Sequence, residues 1–376
     1  TTGYDNTAVG HLAATAITTG IRNDAVGKGA LNALTTGNSN SAVGYYAGGA
    51  LTTGAYNVAI GRAALSDATT AESNTAVGYN AAYSSTIGNT NTSIGREAMY
   101  TNVAADRNTA LGYRSLYTMS RSTTADTYNV AVGNEAGYSC TTGAQIVAVG
   151  GNALRSSTTA DGAVAVGYEA AKDWVGSYSI TAIGYLALAN CTTGVNNTAL
   201  GRNSLTTLTT ASENTALGNM SMQAATTGYE NVAVGSNSLY TITTGANNTA
   251  LGHNALYTNN ASNNTAVGKD ALKLNTTGSE NTAVGKQALA ANTTGTNNSV
   301  LGVTALLANT TGRNNTSVGQ SSLKANTTGS NNTAVGRVAL FAATTANDNT
   351  AVGYAALNAN TTASANVGVG CSALAA

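Results

Sequence analysis

A five-residue word, Asn-Thr-Ala-Val-Gly, returns along the whole chain and limits what the chain can fold into. Its glycine falls at residues 10, 27, 44, 61, 78, 95 and 112, then every 17 residues from 133 to 252 and again from 268 to 370. Of the 21 intervals between these 22 copies, 19 are 17 residues long; the exceptions are 21 (112 to 133) and 16 (252 to 268). The consensus unit is N-T-A-V-G-x-x-A-L-x-x-N-T-T-G-x-x, numbered here from its Asn. A helical-hairpin repeat needs about 33 residues, so a unit this short with a fixed glycine excludes one. Positions 1 to 4 have the β-branched, alternating character of a short strand. Gly at position 5 permits a sharp turn, positions 6 to 9 read as a second short strand, and Thr-Thr-Gly returns the chain to the next unit. The expectation is an all-β fold: a parallel β-solenoid or β-roll of 22 coils with a 17-residue period. Residues 1–376 form one continuous array, and at about 4.8 Å per coil it would run to about 105 Å.

The columns of such a stack can be assigned in advance. Position 4 is Val, Ile or Leu in every copy, and position 9 is Leu in 15. These two columns are expected to face each other across a thin core. Position 1, Asn in 19 copies and broken together at Ile146, Ala163 and Ile180, is expected to form an amide ladder. Positions 3 and 8 carry Ala or Ser almost throughout, which suits either a tight corner or a subunit interface. So thin an aliphatic core favours the interface, and with it an oligomeric fibre.

Only 9% of residues are charged, and 16 bases balance 16 acids. Bulk-charge binding of nucleic acid or anionic membrane is therefore excluded as a theme, and no apolar run approaches the roughly 18 residues of a membrane span. The three cysteines do not form a framework. Cys140 and Cys191 share position 12 but lie three coils apart, about 14 Å, beyond the reach of a disulfide. An interchain bond would need position 12 near a symmetry axis. His11 and His253 are fourteen coils apart, so no metal site or catalytic triad is built from them. Glu97, Glu135 and Glu169 recur at position 7 in alternate coils, about 10 Å apart, and read as a solvated edge. No catalytic constellation and no cofactor-binding motif emerges; the chain is not expected to be an enzyme.

Position 6 is more informative. It is aromatic or cationic in 15 of 22 copies, including Tyr45, Tyr79, Tyr113, Tyr168, Tyr185, Arg62 and Arg96. Such a column either stacks along the β-ladder or docks sugar rings. Ten of the 18 tyrosines lie between residues 79 and 185, together with the only Trp. The four-residue insertion falls in the same stretch. Residues 108–179 are thus irregular, aromatic-rich coils, whereas residues 258–376 are regular and shaft-like. Loops on a rigid scaffold are where binding is usually placed. The candidate receptor-binding residues are Tyr113, Tyr117, Arg121, Tyr128, Tyr168, Trp174, Tyr178 and Tyr185.

The word Asn-Thr-Ala-Val-Gly-x-x-Ala-Leu resembles the S-V-A-I-G-x-x-A word of trimeric autotransporter adhesin heads (YadA-like). The full unit from Asn281 to Gly295 is similar to the 17-residue repeat of phage-type tail-fibre proteins. The resemblance covers essentially the whole chain. It implies a left-handed β-roll, a homotrimer around one axis, and a role in adhesion outside the cell, on a cell surface or a virion fibre. The adhesin unit is shorter, so the Thr-Thr-Gly side is enlarged here. The chain begins and ends within a unit and reads as a segment of a longer polypeptide. The function expected is that of a structural, adhesive fibre presenting repeated rows to a glycan or receptor. The alternatives are an ice-binding solenoid and a polysaccharide-degrading rod.

Overall fold

A computed structural model describes residues 2–177 and 179–375. The chain is an all-β parallel β-solenoid with a 17-residue period, and no helix occurs among the described residues. It divides into two compact units, residues 1–193 and 194–376. Each contains eleven three-residue strands that occupy positions 2 to 4 of successive coils. Pairing is parallel and in register: Thr75, Ala76 and Val77 lie beside Thr92, Ser93 and Ile94 of the next coil.

Gly at position 5 is demanded twice over. Gly78 has φ +136°, a conformation that side chains rarely adopt, and a Cβ there would meet the Gly95 carbonyl oxygen at 2.5 Å. Past this glycine the expected second strand does not form. Positions 6 to 11 are turns, because positions 7 and 9 enter the left-handed region, as at Gln287 (φ 57°) and Leu289 (φ 54°). Hydrogen bonds between coils persist through the turns nevertheless. The Asn80 N–H donates to the Arg62 carbonyl one coil back, and the Ala82 N–H to the Ala98 carbonyl one coil ahead.

The expected core is turned inside out at the strand. Position 3 is buried and position 4 faces outward, as in Ala250 (0% exposed) and Leu251 (46%). A three-residue strand puts its middle residue on one face and its outer two on the other. Leu at position 9 comes in from the opposite wall and leaves room for only a small side chain at position 3. The packing is direct: Ser93 donates to the Met99 sulfur across the coil, and Ser317 bonds to Ser322. The Ala and Ser columns at positions 3 and 8 therefore line each coil's own interior, not a subunit interface. The outward column at position 4 remains uncovered.

The Asn column at position 1 forms a buried ladder. Asn298 donates from its backbone N–H and from Nδ2 to the Asn281 side-chain oxygen, both at 3.0 Å. Its Nδ2 also reaches the Gly312 carbonyl at 3.0 Å. Where the ladder lapses, Ile146, Ala163 and Ile180 fill the space and are buried. Position 12 is a second interior column. In the second unit it carries its own amide ladder, with Asn292, Asn309 and Asn326 each donating at 2.8 Å to the Asn one coil back. In the first unit it holds Cys140 and Cys191, both buried, so neither sits where an interchain disulfide could form.

Both irregular coils keep the strand register. The four extra residues bulge out between Met119 and Tyr128, and the added strand Ala125–Asp126 pairs with Ala105–Asp106. In the coil that is one residue short, the Asn260 side-chain oxygen takes over the accepting role of a missing carbonyl. It receives the Thr243 and Thr244 N–H groups, each at 3.0 Å.

Candidate functional site

The position 6 column projects outward immediately after the glycine turn, one residue per coil. In the first unit it alternates cation and ring: Lys28, Tyr45, Arg62, Tyr79, Arg96, Tyr113. Each cation lies 5.5 to 5.7 Å from the neighbouring ring centroids. Alternation keeps like charges two coils apart and gives each cation a negative ring face to lie on.

A second outward column, at position 10, was not singled out from the sequence. Tyr83, Tyr100, Tyr117 and Tyr138 stack with centroids 5.1 to 5.2 Å apart and planes within 13° of parallel. Arg155 caps the far end, 5.5 Å from the Tyr138 centroid. The signal was available: these tyrosines are spaced 17, 17 and 21 residues apart, the lengths of the coils between them. Burial within the stack pushes the Tyr100 and Tyr117 phenols above their usual range. Arg114 ties the two columns together, 5.0 Å from the Tyr113 centroid and 5.3 Å from that of Tyr117.

Where the position 10 stack stops, a cleft of about 360 Å³ opens. Its floor is Ala63 and Ser66, and Arg62 runs along one edge. Tyr83 and Tyr100 wall one end, and Tyr45 and Tyr46 the other. Tyr46 leans over Gly29 and Gly49, where a Cβ would strike its ring at 2.9 and 3.2 Å. Two glycines thus let this ring fold down toward the preceding coil, away from Ser66.

The residues singled out from the sequence do not form one patch. Tyr113 and Tyr117 meet through Arg114. Tyr128 belongs to a separate cluster in which its hydroxyl and the Asp126 carboxylate both bond to Arg107. Arg121, in the insertion, donates to the Thr142 carbonyl and lines a shallow hollow of about 600 Å³. Tyr168 and Tyr185 are exposed and stack at 5.7 Å. Trp174 is a correction: it fills position 12 of the interior and is 0% exposed, so it cannot be presented to a receptor. Gly176 leaves room for its indole, since a Cβ there would lie 2.9 Å from it. Tyr178 lies outside the described residues.

The position 7 carboxylates are engaged in ion pairs. Glu97 accepts from Arg114 Nε at 2.6 Å and from Arg96 Nε at 3.3 Å. Glu135 pairs with Arg155 at 2.7 Å, and Glu169 with Lys172 at 3.4 Å. The Arg114 hydrogen bond is the main force holding the Glu97 carboxyl below its usual range. A general acid needs the opposite shift. No protein-family model matches the sequence, and none of the curated proteins matches it.

Proposed function

We propose that this chain is a segment of an adhesive fibre that engages a cell-surface glycan or receptor through many equivalent contacts. The observation that carries the reading is the exposed column of alternating tyrosines and cations from Lys28 to Tyr113, held rigid by the stack. Flat rings fixed one coil apart present apolar faces with polar rims, the arrangement that suits sugar rings. Repetition raises avidity without requiring a strong single site. The repeat word, similar to that of adhesin heads and tail fibres, supports the same reading and an extracellular location with it.

The fibre is proposed to be a homotrimer. Support comes from the outward column at position 4 in each unit, with residues such as Val43 (43% exposed) in the first and Leu251 (46%) and Leu301 (51%) in the second. Aliphatic columns of this extent call for a cover, and copies of the same chain match them rung for rung. Glycan-array binding by the intact chain tests adhesion, and light scattering tests the trimer. Absence of array binding together with a monodisperse monomer would overturn the proposal.

Ice binding is the second reading, favoured by one observation: the outward strand face offers Thr at position 2 beside the aliphatic position 4, as in Thr282 and Val284. The Thr column at position 13 is less suited, because its hydroxyls donate along the stack, as from Thr293 to the Thr310 carbonyl at 3.0 Å. Thermal hysteresis at micromolar protein would favour ice over adhesion.

A further inference from the structure

We propose that the break in the tyrosine ladder at Ser66 is a binding site for one carboxylate-bearing pyranose ring. The inference rests on the adhesive reading and gives it a site and a ligand class.

Inside the ladder each ring has a neighbour about 5.2 Å away. Tyr83 has such a neighbour, Tyr100, on one side only. On its other side position 10 is Ser66 and then Gly49, and among the described residues no ring stacks there. The next aromatic wall is Tyr46, which belongs to the coil two steps from that of Tyr83. The Tyr46 ring leans toward Gly29, one coil further off, so the open face of Tyr83 has room for a ring at the ladder's own spacing. Ala63 and Ser66 line that space with small side chains.

The chemistry of the rim selects the ring. Ser66, Asn80 and Arg62 surround the open face of Tyr83 with polar groups. An apolar C–H face bordered by hydroxyls meets both demands, as a pyranose does. Arg62 adds the preference for charge. Arg96, Arg107, Arg114 and Arg155 in the same unit each pair with a carboxylate. Arg62 pairs with none among the described residues, and the carboxylate beside Ser66, Asp67, is not among the lining residues although its charge reaches Tyr100. Its guanidinium is fixed between Tyr45 and Tyr79, at 5.7 and 5.5 Å from their centroids. Arg22 and Arg121 in the same unit also have no carboxylate partner among the described residues, but of these three only Arg62 lines the cleft, where a carboxylate on the sugar would pair with it.

The test is saturation-transfer NMR on the intact chain with methyl glucuronide and sialyllactose as acidic probes and methyl glucoside as the neutral one. The acidic probes should bind, and Ser66→Tyr, which supplies the missing ring, should weaken them at least tenfold. Arg62→Gln should erase the preference over methyl glucoside. Tyr257→Ala, in the other unit, should change nothing, and circular dichroism melting shows that each variant is folded. Unchanged binding by Ser66→Tyr, or a preference that survives Arg62→Gln, would overturn the site. If neither acidic probe binds while glycan-array binding persists, the cleft proposal fails and the adhesive reading stands. If both are absent, the two fail together.

Discussion

Arg114 Nε donates to Glu97 Oε2 at 2.6 Å, joining position 7 of one coil to position 7 of the coil before. Arg96 approaches the same carboxylate from within its own coil at 3.3 Å. The carboxyl is thereby held below its usual 4.5, the hydrogen bond from Arg114 being the largest cause. Its folded value lies under its unfolded one, so the pair stabilises the fold above the unfolded value. That stabilisation is lost as pH falls through the folded value. Glu97→Gln should therefore melt below the wild type at pH 7, and the gap should close on acidification below the ordinary glutamate range. Melting temperatures across a pH series check this; a gap that stays constant to low pH would contradict it.

Gly78→Ala should cost about 2 kcal/mol or more, since the new methyl meets the Gly95 carbonyl and the backbone is held at φ +136°. Thermal unfolding of the purified variant measures the loss. A substitution of Ala for Thr at the exposed position 2, such as Thr282→Ala, should shift the transition far less.

Removing one rung of the amide ladder leaves a buried partner stranded. Asn281→Ala deprives the Asn298 N–H of its acceptor, while the Gly295 carbonyl loses Asn281 Nδ2 but keeps Asn292 Nδ2. The expected loss is about 1–3 kcal/mol. Hydrogen exchange should show the Asn298 amide losing protection first, ahead of amides several coils away.

Thiol chemistry should separate the three cysteines cleanly. Cys140 and Cys191 are buried, and burial pushes the Cys140 thiol up to about 12, which suppresses the reactive thiolate. Cys371 is exposed. One thiol per chain should react with a disulfide reagent in the folded protein, and three after denaturation.

A charge at position 4 should disrupt assembly without unfolding the coil. Leu301 is half exposed, so Leu301→Lys leaves the interior untouched. For the proposed trimer, the particle mass by light scattering should fall from three chains toward one while the circular dichroism spectrum is retained.

The period and the place of the one strand before the glycine were legible because in-register parallel pairing favours equal coil lengths, and the glycine at position 5 has no substitute. Which face of the strand is buried was not legible. By apolarity alone Leu251 belongs inside and Ala250 does not need to be; the order reverses only because Leu256 projects in from the opposite wall of the coil. The turn at positions 6 to 9 was hidden for a related reason. Residues such as Gln287 and Leu289 give no sign in their chemistry that they adopt left-handed backbone. Trp174 misled because a lone indole among tyrosines looks like a surface feature, whereas its column position, shared with Leu34 and Met119, marks it as interior. The tyrosine ladder from Tyr83 to Tyr138 was written in the spacing. Its gap at Ser66 becomes meaningful only once the open face of Tyr83 is seen to front a cleft edged by Arg62.

The amides along the position 1 column all lean one way: Asn298 donates back to Asn281, and Asn315 back to Asn298. Each coil is thereby polar, offering side-chain oxygens on one surface and N–H groups on the other. A unit copied in tandem inherits that sense without adjustment, and a unit laid upside down would set donor against donor. Lengthening by duplication is chemically free of penalty at this seam, while inversion is not.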